Sequence, residues 1–323
     1  MAIEVRAAPP PLTGPPRAAA GPAPRRRRRG FTRWWHGGGP AAVLFAVPVV
    51  LVFAYFSWGP IVRGLVMSVQ SSGTAAPAEF VGVENFSYVL TDPLLPTAVG
   101  NTFYFALLAL LFGFPVPLFL AVFFAELRRR RWLFTVLAYL PVVVPPVVAI
   151  LLWKVFYTPS ADGLFNAALG VVGLGPYPWL NSPTMAMPAI VLAATWASAG
   201  SAVIIYLAAL SGVRAELYEA AELDGAGIWQ RVRHVTIPQL RGVILVMLLL
   251  QLIGTMQVFT EPFLFTGGGP QHATLTILLM IYNYAFVDGD YGAATALSLL
   301  LSVVLAVLSA TYQLATRRWS PER

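Results

Sequence analysis

Long runs of apolar residues, each bounded by charged positions, dominate the chain. Segments without Asp, Glu, Lys or Arg cover residues 34–62, 93–125, 132–153, 163–213, 242–260 and 291–316. A helix needs about 20 apolar residues to cross the hydrocarbon core of a bilayer, so each segment is long enough to contain one crossing. The pattern predicts six membrane-spanning helices.

Two uncharged regions need a finer interpretation. Residues 163–213 are too long for one crossing, and their first half is rich in Gly, Pro and Asn. This half predicts an external loop, followed by a helix over about 186–210. Residues 262–287 contain Thr-Gly-Gly-Gly-Pro at 266–270 and have only a short apolar part, which predicts a loop followed by a re-entrant or interfacial helix.

The basic residues predict the orientation. If the N-terminus is cytoplasmic, every Lys and Arg except Arg63 and Lys154 falls in a segment on the cytoplasmic side, as the positive-inside rule requires. We therefore expect both termini inside. The predicted organisation is a disordered basic tail (1–36), a first transmembrane helix (40–67), a core of five further helices (95–316) and a cytoplasmic tail (317–323).

Composition supports an all-α polytopic membrane protein and argues against several other classes. The 323 residues are 58% hydrophobic and 11% charged, more apolar than the core of a soluble domain of this size can accommodate. The absence of cysteine excludes disulfides and thiol chemistry, and the three histidines lack metal-ligand spacing. The tract Arg25–Arg29 predicts contact with membrane lipid rather than nucleic acid, since no aromatic-rich basic fold follows it.

The sequence shows no motif for an ATP site in this chain. Its single lysine, Lys154, follows Trp153, so a Gly-rich phosphate loop ending in Gly-Lys cannot form. We therefore expect the chain to bind no cofactor and to have no catalytic residue. Residues Asp288 to Asp290 lack the remaining ligands of a calcium loop, so we expect no metal site there either.

A segment of about 30 residues separates the fourth and fifth predicted crossings. It reads SGVRAELYEAAELDGAGIWQRVRHVTIPQL and predicts two helices joined at Gly225 and Gly227. Small residues in it allow close approach of another surface, and Glu219 and Asp224 offer charge-assisted hydrogen bonds. The orientation places this segment, residues 211–238, in the cytoplasm.

This segment resembles the EAA signature of binding-protein-dependent ABC importer permeases. Glu219, Ala220, Ala221 and Gly225 match the first part, and after nine residues Val235, Ile237 and Pro238 fill the last part. The sequence departs from the sugar-importer pattern at Val232, usually aromatic, and at Arg214, often proline. The resemblance implies that the 211–238 loop docks on an ATPase subunit that binds ATP and Mg²⁺. The implied coupling residues are Glu219, Ala220, Ala221, Asp224, Gly225, Ala226 and Pro238.

The segment beginning TGGGPQHATLTILL is similar to carbohydrate-importer permeases of the maltose and glycerol-3-phosphate type. The motif residues are Gly267, Gly268, Gly269 and Pro270. The resemblance implies one half of a permease heterodimer in a bacterial plasma membrane, with a homologous second permease, two ATPase subunits and an external solute-binding protein. The motif predicts a turn with positive φ that faces the binding protein or gates the path, or alternatively an ordinary tight loop.

Polar residues in the fourth and fifth crossings are candidates for a solute path. If the fifth helix continues to residue 261, Gln251, Thr255, Gln257 and Glu261 share one side, which suits a wet path or a polar helix contact. In the fourth, Trp196 beside Ser198 can contact a sugar, although packing explains the tryptophan equally well. In the second, Asn101 and Thr102 lie near the external end, and Pro115 with Pro117 should kink or unwind the helix.

Two other functions compete with the importer. A secondary transporter driven by an ion gradient is expected to carry acids within its membrane helices, and only Glu261, near a boundary, is present. A membrane enzyme needs a constellation of His, Asp, Ser or metal ligands near one membrane face, and none is visible. The cargo stays open among saccharides, glycerol-3-phosphate and other polyols.

Overall fold

The computed structural model describes residues 39–71, 78–127 and 131–317 of the chain. Contacts divide the chain into two units, Met1–Pro60 and Ile61–Arg323. The predicted tail 1–36, Arg128–Arg130 and residues 318–323 lie outside the described residues. Within the described part the chain is helical, apart from one antiparallel pair of short strands, Gln70–Ser71 and Glu79–Phe80.

The helical segments follow one another along the chain with short connections. The α-helices are Gly39–Phe53, Gly59–Met67, Glu84–Thr91, Leu95–Leu108, Pro115–Glu126, Arg131–Val143, Pro146–Phe156, Leu164–Gly170, Ala186–Ser211, Ala215–Leu223, Ile228–Arg231, Ile237–Met256, Thr260–Thr266, Ile277–Tyr282 and Tyr291–Thr316. The π-helical turns are Ala54–Trp58, Ala109–Gly113, Val232–Thr236 and Asn283–Val287, and Trp179–Asn181 is a 3₁₀ turn.

Five continuous helices in the described part are long and apolar enough to cross a membrane. We call them spans one, two, four, five and six, in the order of the predicted crossings. They are Ala41–Met67, Leu95–Glu126, Ala186–Ser211, Ile228–Met256 and Tyr291–Thr316. The predicted fold class, an all-α polytopic membrane protein, is confirmed.

The third predicted crossing, over 132–153, is sharply bent. The chain forms two helices there, Arg131–Val143 and Pro146–Phe156, with an angle of 98° between them. The cause is the Pro145–Pro146 pair, because a proline ring disfavours the helical conformation of the residue before it. Pro145 is accordingly extended, with ψ of 135°. Six crossings result only if this bent pair counts as one.

Three π-helical turns lie just before prolines, at Pro60, Pro115 and Pro238. Proline lacks an N–H group and its ring crowds the carbonyl four residues earlier, which a locally wider helix relieves. In span two the Phe114 N–H donates to the Ala109 carbonyl at 2.9 Å, five residues back. The expected disturbance at Pro115 is therefore a widened turn within a continuous helix rather than an unwound one.

Span four lies at the centre of the helix packing. Its buried residues contact span two on one side and the bent pair on another, and Met187 and Ile190 are fully buried. A Cβ added at Gly200 would lie 2.2 Å from the Ala138 carbonyl oxygen. Glycine is therefore required there because span four and Arg131–Val143 pack backbone against backbone.

The two long uncharged regions, 163–213 and 262–287, differ in how closely they follow the prediction from the sequence. Residues 262–287 contain the expected loop and a short apolar helix, Ile277–Val287. The connection over 163–183 is more ordered than a plain loop, since it contains the helix Leu164–Gly170. Buried Asn166 organises it: its amide donates to the carbonyls of Ser160 and Tyr177, and its Oδ1 accepts from Trp179.

Candidate functional site

A cavity of about 580 Å³ lies between spans two, four and five and the helix Thr260–Thr266. We call it the polar cavity. Apolar side chains such as Phe105, Val191 and Met247 form part of its wall. Its polar lining residues are Thr195, Ser198, Gln251, Thr255, Gln257, Thr260 and Glu261.

The predicted path residues reach this cavity by a different geometry from the one expected. Span five ends at Met256, so Gln257 and Glu261 do not continue its helical face, and that part of the prediction is wrong. Pro262 explains the break, because it has no N–H to donate to the Val258 carbonyl. The Thr276 hydroxyl donates to that carbonyl instead, at 2.9 Å.

Several polar side chains of the cavity donate hydrogen bonds to backbone carbonyls. The Ser198 hydroxyl donates to the Ala194 carbonyl at 2.8 Å, and the Thr255 hydroxyl donates to Leu252 at 3.1 Å. The Gln257 amide donates to the Ile253 carbonyl at 3.2 Å. The oxygen lone pairs of these side chains are left to accept hydrogen bonds.

Glu261 is the ionisable residue of the polar cavity. It is half-buried, and its carboxylate has no ion-pair partner among the described residues. Burial raises the pKa of the Glu261 carboxyl above its ordinary value, and a backbone hydrogen bond offsets part of the rise. The cation on the neighbouring helix, Lys154, donates instead to the Leu264 carbonyl at 3.3 Å.

Trp196 lies outside the polar cavity. Its ring packs edge-on against Trp153, with 5.6 Å between ring centroids. It lines a separate apolar groove of about 530 Å³ together with Leu108, Phe112 and Pro141. Trp196, a predicted sugar contact, therefore packs against another aromatic ring. Of Trp196 and Ser198, only Ser198 lines the polar cavity.

The Gly-rich motif adopts the backbone that its composition predicts. Gly267 and Gly268 have φ of 61° and 91°, the left-handed region that favours glycine. Thr274 holds the turn, since its hydroxyl donates to the Gly269 carbonyl at 2.8 Å. The peptide bond between Gly269 and Pro270 is cis.

Span two anchors the chain that follows this turn. The Asn101 amide donates to the carbonyls of His272 and Leu275 at 2.7 and 2.9 Å. Thr102 is fully buried and its hydroxyl accepts the Ile277 N–H at 3.0 Å. The two polar residues that the sequence places near a helix end therefore tie span two to the Gly-rich segment.

The 211–238 loop consists of the helix Ala215–Leu223, a turn, and the start of span five. Gly225 has φ of 75° and ends the first helix, and the Ala226 N–H donates to the Ala221 carbonyl at 2.9 Å. Glu219, Ala220 and Asp224 are exposed, whereas Ala221 and Ala226 are half-buried.

Large apolar side chains are also exposed on this loop. Leu223 is 90% exposed, and Ile228 and Trp229 are more than half exposed. Pro238 lies beyond the π-helical turn Val232–Thr236, inside the continuous helix of span five. Exposed apolar groups beside exposed acids suit a surface that another protein covers.

An ion-pair triad connects the 211–238 loop to span two. The Arg231 guanidinium donates to the carboxylate of Glu222, in the helix Ala215–Leu223, and to that of Glu126, the last residue of span two, at 3.5 Å. The Arg231 side chain is only 12% exposed. Sequence reasoning missed this triad because nothing in a single sequence pairs residues 126 and 231.

Comparison with known proteins places the chain in a family. Residues 113–321 match the family described as "Binding-protein-dependent transport system inner membrane component". The lactose transport system permease LacF of Rhizobium radiobacter is 35% identical over 82% of this chain and 90% of its own length. The trehalose/maltose transport system permease MalF of Thermococcus litoralis is 31% identical over 83% and 91% of the two chains.

A solved structure agrees with these relatives. The crystal structure of a bacterial ABC transporter involved in the import of the acidic polysaccharide alginate matches with a TM-score of 0.79 and 29% identity. The match covers 88% of this chain and 99% of that one. Because the family match and the relatives each cover most of the membrane-spanning core, this chain belongs to the binding-protein-dependent ABC transporter permeases, and it is not a secondary transporter.

Proposed function

We propose that this chain is one half of the permease of an ATP-driven saccharide importer in the bacterial inner membrane. Its partners are a homologous second permease, two ATPase subunits and an external solute-binding protein. ATP and Mg²⁺ bind to the ATPase subunits, and this chain contributes no catalytic group. Lactose, trehalose/maltose and alginate permeases among its relatives support a saccharide as the solute.

The polar cavity is the observation that carries the proposal. Its hydroxyl, amide and carboxyl groups come from spans four and five and from the segment 257–261 that follows span five, and polar groups in membrane helices are costly unless they face water, a ligand or another helix. Its volume of about 580 Å³ is within the usual range of small-molecule sites. Ser198, Gln251, Thr255, Gln257 and Glu261 are the proposed path residues.

The 211–238 loop is the proposed contact with the ATPase. The exposed face of the helix Ala215–Leu223 carries Glu219, Ala220 and Asp224, and Leu223 offers an apolar anchor. Gly225 shapes the turn that presents this face. The motif Gly267–Pro270 is proposed to face the solute-binding protein at the other end of the path.

Uptake by the reconstituted complex tests the path assignment. Vesicles containing the complete transporter are supplied with ATP and with radiolabelled lactose, maltose or trehalose bound to the solute-binding protein. We expect Gln251→Leu to reduce uptake at least fivefold while the ATPase stays bound. Gln313→Leu is the matched control, because Gln313 is exposed on span six and does not line the cavity. Equal uptake by the two variants would contradict the path assignment.

A second pair of variants tests the coupling assignment. We expect Glu219→Ala, and replacement of Gly225 by a bulky residue, to weaken ATPase association or to uncouple ATP hydrolysis from uptake, with normal membrane insertion. Wild-type ATPase association and uptake in both variants would argue against docking through this loop.

A further inference from the structure

The charge that lines the polar cavity is negative. Among the described residues, Glu261 is the only ionisable one that lines it, and no Lys, Arg or His does so. Glu261 also lines a smaller adjoining cavity of about 280 Å³, beside Ser198 and Ser201. The described part of this chain therefore offers no cation to a negatively charged solute at this position.

The hydrogen-bonding groups of the cavity include both acceptors and donors. The hydroxyls of Ser198 and Thr255 donate to backbone carbonyls and present oxygen acceptors, whereas Gln257 uses one of its two amide N–H groups on the Ile253 carbonyl and keeps the other. The Glu261 carboxylate adds further acceptors and has no ion-pair partner among the described residues. The Gln251 amide and the hydroxyls of Thr195 and Thr260 also line the cavity and can donate.

Sugar hydroxyls can both donate and accept hydrogen bonds, so they can pair with these mixed groups. A carboxylate on the solute can only accept hydrogen bonds, so it cannot pair with the Glu261 carboxylate. It would also approach the Glu261 carboxylate, and two like charges about 6 Å apart in a medium of effective dielectric about 20 repel by an amount equal to roughly a hundredfold in affinity before screening. The charge of Glu261 thus disfavours an acidic solute.

We propose that the solute is an uncharged saccharide, and that Glu261 is the residue of this chain that discriminates against acidic saccharides. The proposal rests on the proposed function and names the solute class of the same cavity. Glu261 accepts hydrogen bonds from solute hydroxyls, and these are strengthened by its charge.

Direct binding to the complete transporter complex tests this without the selectivity of the solute-binding protein. Purified complex in lipid nanodiscs is mixed with tritiated lactose, maltose, trehalose or maltotriose, and with the same sugars oxidised at C6 to uronates. We expect wild-type complex to bind at least one neutral sugar about tenfold or more tightly than its uronate. Glu261→Gln, which keeps the size and removes the charge, should reduce that ratio at least fivefold. Glu79→Gln, at an exposed position outside the cavity, should leave the ratio unchanged.

The outcomes distinguish a failure of the proposed role of Glu261 from a failure of the proposed importer function. If neutral sugars bind and are taken up but Glu261→Gln leaves the ratio at its wild-type value, the discrimination by Glu261 is wrong and the importer function stands. If the wild-type complex prefers the uronates, the proposed solute class is wrong. If it neither binds nor takes up any of these saccharides, neutral or acidic, both proposals fail.

Discussion

Replacing Arg231 by methionine tests whether the ion-pair triad links the 211–238 loop to span two. Methionine keeps most of the length of the side chain and removes its charge and all donors. Glu222 and Glu126 then lose their shared cation. We expect uptake per ATP hydrolysed to fall at least threefold, because the helix Ala215–Leu223 is no longer tied to the end of span two.

The magnitude of the stability change follows from exposure. Exposed ion pairs contribute about 0.2–1 kcal/mol, and breaking a buried one costs about 3–5 kcal/mol. The Arg231 side chain is 12% exposed, but those of Glu126 and Glu222 are 39% and 49% exposed, so water solvates both carboxylates once the arginine is removed. We therefore expect a loss of about 1–2 kcal/mol, or a decrease of about 2–8 °C in apparent melting temperature.

The assay compares Arg231→Met with Arg233→Met in the same reconstituted complex. Arg233 is exposed in the adjoining π-helical turn, and neither described ion pair includes it, so the control removes an equal charge from the same region. Melting temperature, basal ATPase rate and uptake are measured for both. The reasoning is refuted if the two variants match in uptake per ATP, or if Glu126→Gln and Arg231→Met have additive effects on stability.

Three further predictions concern packing and titration. Gly200→Ala should cost about 1–3 kcal/mol, because the added methyl group collides with the Ala138 carbonyl; thermal melting checks this, with Gly100→Ala, which meets no neighbour, as the control. Asn166→Ala should cost about 2–4 kcal/mol and speed proteolytic cleavage of the 158–181 connection, since its amide joins several carbonyls; an unchanged cleavage rate would contradict this. Burial raises the pKa of Glu261 above its ordinary value of 4.5, so the ionised side chain destabilises the fold as pH rises; Glu261→Gln should melt above wild type at pH 8, and the difference should close as the pH falls below 4.5.

The crossings and the 211–238 loop were predictable because they depend on local composition. An apolar segment of about 20 residues indicates by its own composition that it crosses a membrane, and the Gly225 turn depends on four consecutive residues of the sequence. The bend at Pro145–Pro146 was also visible in principle, since two adjacent prolines disfavour a continuous helix. Hydropathy alone gave no sign of it, because the segment is apolar on both sides of the bend.

Features that depend on distant partners could not be predicted. Span five ends at Met256, ahead of Pro262, and Thr276, 18 residues beyond Val258, donates to the Val258 carbonyl the hydrogen bond that Pro262 cannot. Trp196 faces Trp153 rather than the polar cavity because the bent pair brings that ring alongside span four. A helical-wheel projection assumes a straight helix and ignores neighbouring segments. It grouped Glu261 correctly with the other residues of the polar cavity, although Glu261 does not lie on the helix of span five.

The continuity of the helices explains how the 211–238 loop and the polar cavity can communicate. Span four leads into the loop and span five leads out of it, and both line the cavity. Span two lines the cavity near Ala109 and ends at Glu126, where Arg231 holds it to the loop. A displacement of the loop therefore acts on all three spans. The π-helical turn Ala109–Gly113 of span two lies at the wall of the cavity, and this wider turn beside Pro115 is the place where we expect that helix to bend.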